Sequence, residues 1–349
     1  MKVLFLHAEV MGYTLAVIRE MAKAGCEIVV LSWDRRKLTT YEPDPMPGVT
    51  FLPRSTLSSR RIVRLARDFA PDLVVVSGWQ DWGYLPAAYL LRKSIPVVTG
   101  LDGQPRRDLR HLAAFLLGRL RFFSLFFSHA WVAGPRQHLL ARLIGFKSDE
   151  VIFDLYSADV EQFNSEPEPL EVNDKSPIPR NLVFAGRLVP EKGLDSLVRV
   201  WKSLGEEKTG WNLIIAGSGP LAHMLVDDRT IVHKEFMKPE MLSEVLAKAS
   251  LFVLPSYSEP WGVVVHEAAA SGLPLILSDA VGASDTFLIH GYNGYKFKAE
   301  SDASLRKALL SAFALDESRL REFGSRSRSL SSRINPELSA MNIISLIAK

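Results

Sequence analysis

Leu251-Phe252-Val253-Leu254-Pro255-Ser256-Tyr257-Ser258-Glu259-Pro260-Trp261-Gly262-Val263-Val264-Val265-His266-Glu267-Ala268-Ala269-Ala270-Ser271-Gly272-Leu273-Pro274-Leu275-Ile276-Leu277 reads as a complete strand–loop–helix–strand unit. The apolar run Leu251 to Leu254 predicts a buried strand, and Leu275 to Leu277 predicts another. Between them a loop gives way to a short helix that Gly272 stops. Within the unit, Glu259 and Glu267 stand eight positions apart across a Pro-x-Gly break. Helix N-termini carry partial positive charge and open N–H groups, which suit anions such as phosphate. A carboxylate on either side suits hydroxyls. The pattern points to a ligand that carries both a phosphate and sugar rings.

The same rhythm extends outward in both directions. Upstream, strand Leu182 to Ala185 runs into Gly186, Arg187, Lys192 and Gly193, and a helix follows with Leu194, Leu197, Val198, Trp201 and Leu204 on one face. Strand Leu213 to Ala216 leads into Gly217-Ser218-Gly219-Pro220. Farther upstream, apolar runs predict strands at Val3–Leu6, Ile28–Leu31, Leu73–Val76, Val97–Thr99 and Ala130–Val132, with a helix over Thr14–Ala24. Short strands alternating with amphipathic helices make parallel α/β sheets. The stretch from Ser165 to Arg180 holds four prolines and four acids and little apolar surface, so 166–180 reads as a linker. Two Rossmann-like halves, with ligands at the carboxyl ends of their strands, are therefore expected. Asp302 to Lys349 predicts two or three further helices, and the Ser/Arg-rich run Ser325 to Arg333 is expected to be solvated.

Length and composition agree. A chain of 349 residues exceeds the usual limit of about 250–300 residues for one core. Hydrophobic residues make up 47 % and charged residues 23 %, values ordinary for a globular protein. The net charge of +3 is too small to imply a nucleic-acid partner. Cys26 is the sole cysteine, so no intramolecular disulfide can form, which suits a reducing cytoplasm. No Cys/His spacing resembles a zinc site, and no metal or cofactor is expected. The apolar run at Met1 to Leu6 is too short for a signal peptide, and no run is long enough to span a bilayer. The first turn, Ala8 to Tyr13, contains Gly12 alone, without the Gly-x-Gly-x-x-Gly of dinucleotide sites.

Several ordered motifs together resemble glycosyltransferase family 4, the retaining GT-B group. They are Gly186-Arg187-Leu188-Val189-Pro190-Glu191-Lys192-Gly193, Ile215-Ala216-Gly217-Ser218-Gly219-Pro220, the Glu259-x7-Glu267 motif with its flanks, and Gly291-Tyr292-Asn293-Gly294. Val132-Ala133-Gly134-Pro135 and Ser157 to Phe163 follow the same pattern more loosely. The resemblance implies a GT-B fold, with two Rossmann-like domains facing across a cleft. It implies an acceptor-binding domain over 1–165, a nucleotide-sugar domain over 181–330, and a final helix within 331–349 crossing back to the first domain. It implies that Arg187 and Lys192 hold the donor diphosphate and that Glu267 binds the ribose hydroxyls. Glu259 would contact the transferred sugar, with Gly186, Gly217, Trp261, Gly262 and Val263 lining the donor site and Gly12 facing its phosphate. The donor would be a UDP- or GDP-type sugar, and the acceptor a saccharide or lipid-linked saccharide of bacterial surface polysaccharide or lipopolysaccharide synthesis.

Where the family often has a histidine, after the strand ending at Thr99, this chain has Asp102, a candidate base or simply an Asp-Gly turn residue. Trp79-Gln80-Asp81-Trp82 follows another strand and would suit a sugar acceptor, or alternatively pack a helix start. Arg106 to Phe127 combines arginines with Phe122, Phe123, Phe126 and Phe127. It would lie on the inner face of an anionic membrane if the aromatics are exposed, or pack as an ordinary core helix if they are not. Rival readings on the same architecture are a sugar phosphorylase, a nucleotide-sugar epimerase and a non-catalytic partner subunit.

Overall fold

A computed structural model describes residues 1–35, 43–105, 109–164, 180–226 and 228–347. They form two compact units, Met1–Ser157 with the chain from Pro336 onward, and Ala158–Asn335.

The first unit is built on seven strands: β1 (Lys2–Leu6), β2 (Glu27–Ser32), β3 (Val49–Pro53), β4 (Leu73–Val76), β5 (Val97–Leu101), β6 (His129–Val132) and β7 (Val151–Ile152). Their order is β3-β2-β1-β4-β5-β6-β7, and every pairing is parallel. Helices cover the sheet, so inner strands such as Leu73–Val76 are buried along their whole length. The helix Gly12–Lys23 lays Leu15, Val17, Ile18 and Met21 into the core. Helix Pro336–Ile344 packs against it, and Asn342 Nδ2 donates to Asp154 Oδ2 at 3.1 Å.

The second unit has six strands: β8 (Asn181–Ala185), β9 (Asn212–Ala216), β10 (Ile231–Lys234), β11 (Leu251–Leu254), β12 (Leu275–Ser278) and β13 (Gly294–Phe297). Their order is β10-β9-β8-β11-β12-β13, again all parallel. Residues 158–164, expected with the first domain, lie in this unit, where helix Val160–Phe163 packs on helices Pro239–Ala247 and Val263–Ala270. Apart from Arg180, the expected linker at 166–180 lies outside the described residues. The Ser/Arg-rich run is not simply solvated. In helix Glu317–Ser331, Ser327 and Ser331 are buried, and Ser327 Oγ accepts from Asn293 Nδ2 at 3.1 Å.

Strand order reverses between β1 and β4 in one sheet and between β8 and β11 in the other. In open α/β sheets, ligands bind outside the carboxyl ends of the strands at such points. The loops that leave these four strands are where function is sought.

Candidate active site

In the second unit the loops leaving β8 and β11 are pressed together, and glycine makes this possible. Gly193 adopts φ +65°, and a Cβ there would lie 2.2 Å from the Pro255 carbonyl oxygen. Gly217, after β9, adopts φ +146°, and a Cβ there would lie 1.9 Å from the Gly186 carbonyl oxygen. The Tyr257 and Ser258 N–H groups donate to the Glu191 carbonyl at 2.9 and 3.2 Å. This contact places the Lys192 ammonium on Glu259 Oε2 as an ion pair, with both side chains largely buried. Ser256 Oγ lies 3.4 Å from the same oxygen.

The segment from Glu259 is anchored on the turn after β12. The Glu259 carbonyl accepts from Gly282 N–H at 3.0 Å, and the Trp261 carbonyl from Ala283 N–H at 2.9 Å. Gly262, at φ +92°, would bring a Cβ to 3.0 Å from Glu259 Cγ, so a side chain there would displace the carboxylate. Trp261 is buried against Phe287, and its Nε1–H has no acceptor among the described residues. Val263 opens helix Val263–Ala270, and the Val265 N–H donates back to the Gly262 carbonyl at 3.0 Å.

Glu267 lies in the middle of that helix, not near its start, and the first turn contains no acid. A role in stabilising its own helix dipole therefore fails. Protein encloses the carboxyl closely enough that burial raises its pKa from the usual carboxylate value to about 7. It has neither a hydrogen bond nor an ion pair to another described side chain. A desolvated acid without a partner is costly, and such groups concentrate at functional sites. Arg187 is likewise available: its side chain is 56 % exposed, and its ion pair to Glu191 spans 3.7 Å.

Sequence reasoning missed His266, although a histidine inside an otherwise apolar helical run was a visible signal. It is fully buried and stacks on Phe287 at 4.4 Å. Ala158 N–H donates to Nδ1 at 3.0 Å, so the ring proton sits on Nε2 and is donated to the Ser331 carbonyl at 3.0 Å. Burial lowers the His266 pKa to about 4, so the ring is neutral at pH 7. These bonds set the rotation of the helix and therefore the direction in which Glu267 points.

In the first unit, Gly12 begins helix Gly12–Lys23 after β1. Asp102 follows β5 and is exposed; its Oδ2 accepts from Tyr156 Oη at 3.2 Å, and its carbonyl from Gln137 Nε2 at 3.0 Å. Tyr13 meets the Tyr156 ring edge-on at 4.7 Å. Tyr156, another residue missed in the sequence, thus links the turns that hold Gly12 and Asp102.

The Trp79–Trp82 segment divides. Trp79 packs on Phe123 at 4.6 Å at the edge of the core. Asp81 receives Arg54 Nε and Nη2 at 2.7 and 3.1 Å, Trp33 Nε1 at 3.0 Å and Gly83 N–H at 2.8 Å. Burial works against the Asp81 carboxylate, but Arg54 and Trp33 prevail and hold its pKa below the usual value. Gln80 and Trp82 are exposed.

The Arg106–Phe127 segment also differs from the membrane-facing expectation. Phe123 and Phe127 are buried, and Phe122 and Phe126 pack against the same core, because apolar rings next to β6 find more contact inside than out. The exposed apolar residues are Leu112, Leu116, Leu117, Leu120 and Leu125. Arg106 and Arg107 lie outside the described residues. Among the described residues no helix is long and apolar enough to cross a membrane.

Comparison with known proteins agrees with this fold. The family "Glycosyl transferases group 1" matches residues 165–329, and "Glycosyltransferase Family 4" matches residues 12–143. The putative teichuronic acid biosynthesis glycosyltransferase TuaC of Bacillus subtilis is 29 % identical over 248 residues, 70 % of this chain. The chain spans 61 % of that relative's length. Sucrose-phosphate synthase from Thermosynechococcus elongatus superposes with a TM-score of 0.75 at 17 % identity, covering 99 % of this chain and 98 % of that one. The Anabaena protein HepE, solved in complex with UDP and glucose, superposes with a TM-score of 0.74 at 16 % identity over the whole of both chains. These likenesses show the GT-B fold, with two parallel-sheet Rossmann-like domains. On the two family matches, which together span most of its length, the chain belongs to glycosyltransferase family 4.

Proposed function

We propose that this protein is a retaining glycosyltransferase that moves a sugar from a UDP- or GDP-type donor to a hydroxyl of a saccharide or lipid-linked saccharide. The observation that carries the reading is the desolvated Glu267 carboxyl, without a side-chain partner among the described residues, on the helix that follows the Lys192–Glu259 ion pair in the chain. Glu267 would accept hydrogen bonds from the ribose hydroxyls. Arg187 and Lys192, rather than a divalent ion, would stabilise the charge that grows on the diphosphate as the glycosidic bond breaks, a role typically worth about 2.7–4 kcal/mol per contact. Lys192 would then be shared between the leaving group and Glu259, which orients the transferred sugar. The acceptor oxygen bonds to the anomeric carbon as the bond to the phosphate oxygen breaks. The acceptor proton passes to that departing oxygen, so no protein nucleophile is required. Asp102, held by Tyr156, is the candidate polar group on the acceptor side.

HepE's complex with UDP and glucose supports a uridine donor, and TuaC's teichuronic acid role supports a surface-polysaccharide setting. Leu112 and Leu116, one helical turn apart and exposed near Arg119, support contact with an anionic lipid surface. Sedimentation with phosphatidylglycerol vesicles tests that contact, and a Leu112→Ser/Leu116→Ser variant that sediments as well as the parent would refute it. Calorimetric titration with UDP tests the site itself. Glu267→Ala should weaken UDP binding about tenfold or more, the typical cost of losing a hydrogen bond to a charged group. A folded variant that binds UDP as tightly as the parent rules out the assignment.

A further inference from the structure

A second site lies in the first unit, beside the carboxyl ends of β2, β3 and β4, and the reading rests on the proposed saccharide acceptor. We propose that the cavity of about 460 Å³ among Asp34, Arg35, Gln80 and Trp82 is a subsite for a pyranose unit of that acceptor. The volume falls within the range of small-ligand pockets, about 300–1,000 Å³.

The chemistry of the lining selects the ligand. Asp81, at the floor, already receives four donors, two from Arg54 and one each from Trp33 and Gly83. An ionised carboxylate offers about four lone-pair positions, so Asp81 is saturated. Arg54 makes a third bond, from Nη1 to the Leu57 carbonyl at 2.6 Å, which fixes the guanidinium in place. A Cβ at Gly83 would lie 2.2 Å from Arg54 Nη2, so glycine lets this turn close on the guanidinium. The floor is rigid and its charges are matched; among the lining residues the open cation is Arg35 at the rim, 82 % exposed and 4.0 Å from Asp34 Oδ2.

Recognition falls to the rim. The Trp82 indole is 73 % exposed and offers a flat apolar face of the kind on which the C–H face of a pyranose stacks. Asp34 accepts from Ser55 N–H at 2.9 Å and Ser55 Oγ at 2.5 Å, which fixes its orientation and leaves lone pairs for sugar hydroxyls. Gln80 is exposed beside it and both donates and accepts. An apolar platform flanked by an acceptor, an amide and the exposed Arg35 guanidinium, which donates, matches a ring that carries several hydroxyls.

The indole N–H signals of the full-length protein test this directly. Trp33 and Trp82 report on the cavity, and Trp261 on the second unit. Titration with maltotriose, cellotriose and N,N′-diacetylchitobiose should shift the Trp33 and Trp82 signals for at least one sugar. Trp82→Ala and Asp34→Asn should each weaken that binding about tenfold. UDP should move the Trp261 signal and leave the other two in place. Silence of Trp33 and Trp82 toward all three sugars, or a response to glucose 1-phosphate alone, overturns the subsite. A Trp261 response to UDP in that same experiment leaves the donor reading standing, whereas its absence defeats the donor reading whatever the cavity does.

Discussion

The two sheets present contrasting equipment at the ends of their central strands. Beside β8 and β11, groups are left available: among the described residues Glu267 has no side-chain partner and the Trp261 indole N–H no acceptor, and Arg187 is loosely held. Beside β2, β3 and β4, charges close on one another, with Asp81 taken up by Arg54, Trp33 and Gly83. The contrast teaches how each unit would bind. An ionic ligand is gripped by groups kept short of partners, at a cost to the folded state. A sugar ring needs a stiff frame, a flat face and a few polar groups at the rim.

The largest test of this contrast is Lys192→Ala, which removes the cation from a buried carboxylate. Urea unfolding should show a loss of about 3–5 kcal/mol. Adding Glu259→Gln should restore much of the stability but not the transfer activity. If the double variant unfolds as readily as the single one, the ion pair does not organise the site.

His266→Leu comes next. It removes the ring acceptor of the Ala158 N–H and one of two donors to the Ser331 carbonyl, which keeps the Ile334 N–H at 3.2 Å, so the loss should be about 1–3 kcal/mol in urea unfolding. The parent should also lose stability as pH falls from 6.5 towards 4, because the unfolded chain takes up a proton there that native His266 refuses. That acid limb should be shallower in the variant, and an unchanged slope would refute the neutral-bracket account.

Glu267 has the opposite sign. Its folded pKa of about 7 lies above the unfolded value near 4.5, so the native state holds the extra proton in that window. Its contribution to stability is therefore lost as pH rises from 4.5 to 7. Glu267→Gln should raise the Tm of the ligand-free protein at pH 8, change it little at pH 4.5, and weaken UDP binding. A lower Tm at pH 8 would mean that the carboxylate has a partner after all. The smallest effect is expected at Trp82→Ala, an exposed position where stability should change by less than about 0.5 kcal/mol in a denaturant titration.

Legibility in the sequence followed burial. The inner strands β1, β4, β8, β11 and β12 appear as apolar runs because both of their faces are covered. The four strands not anticipated, β3, β7, β10 and β13, are the edges of the two sheets. Val-Thr-Phe-Leu-Pro and Ile-Val-His-Lys are only partly buried, so polar residues interrupt the signal. In the candidate site, Arg187, Lys192, Glu259 and Glu267 were legible because they sit in short motifs. Tyr156 and Asp34 were not, since nothing local distinguishes them from ordinary surface residues.

By itself the sequence determined two doubly wound parallel sheets and the loops that flank their switch points, since apolar runs, helical periodicity and glycine turns are local properties. Only the tertiary structure decided which charges are matched and which stay open. Lys192 meets Glu259 across 67 positions, Asp81 meets Trp33 across 48, and Trp79 turns inward to Phe123 while Trp82 does not. Pairing and desolvation depend on what the fold brings within a few ångströms, and sequence spacing does not encode that distance.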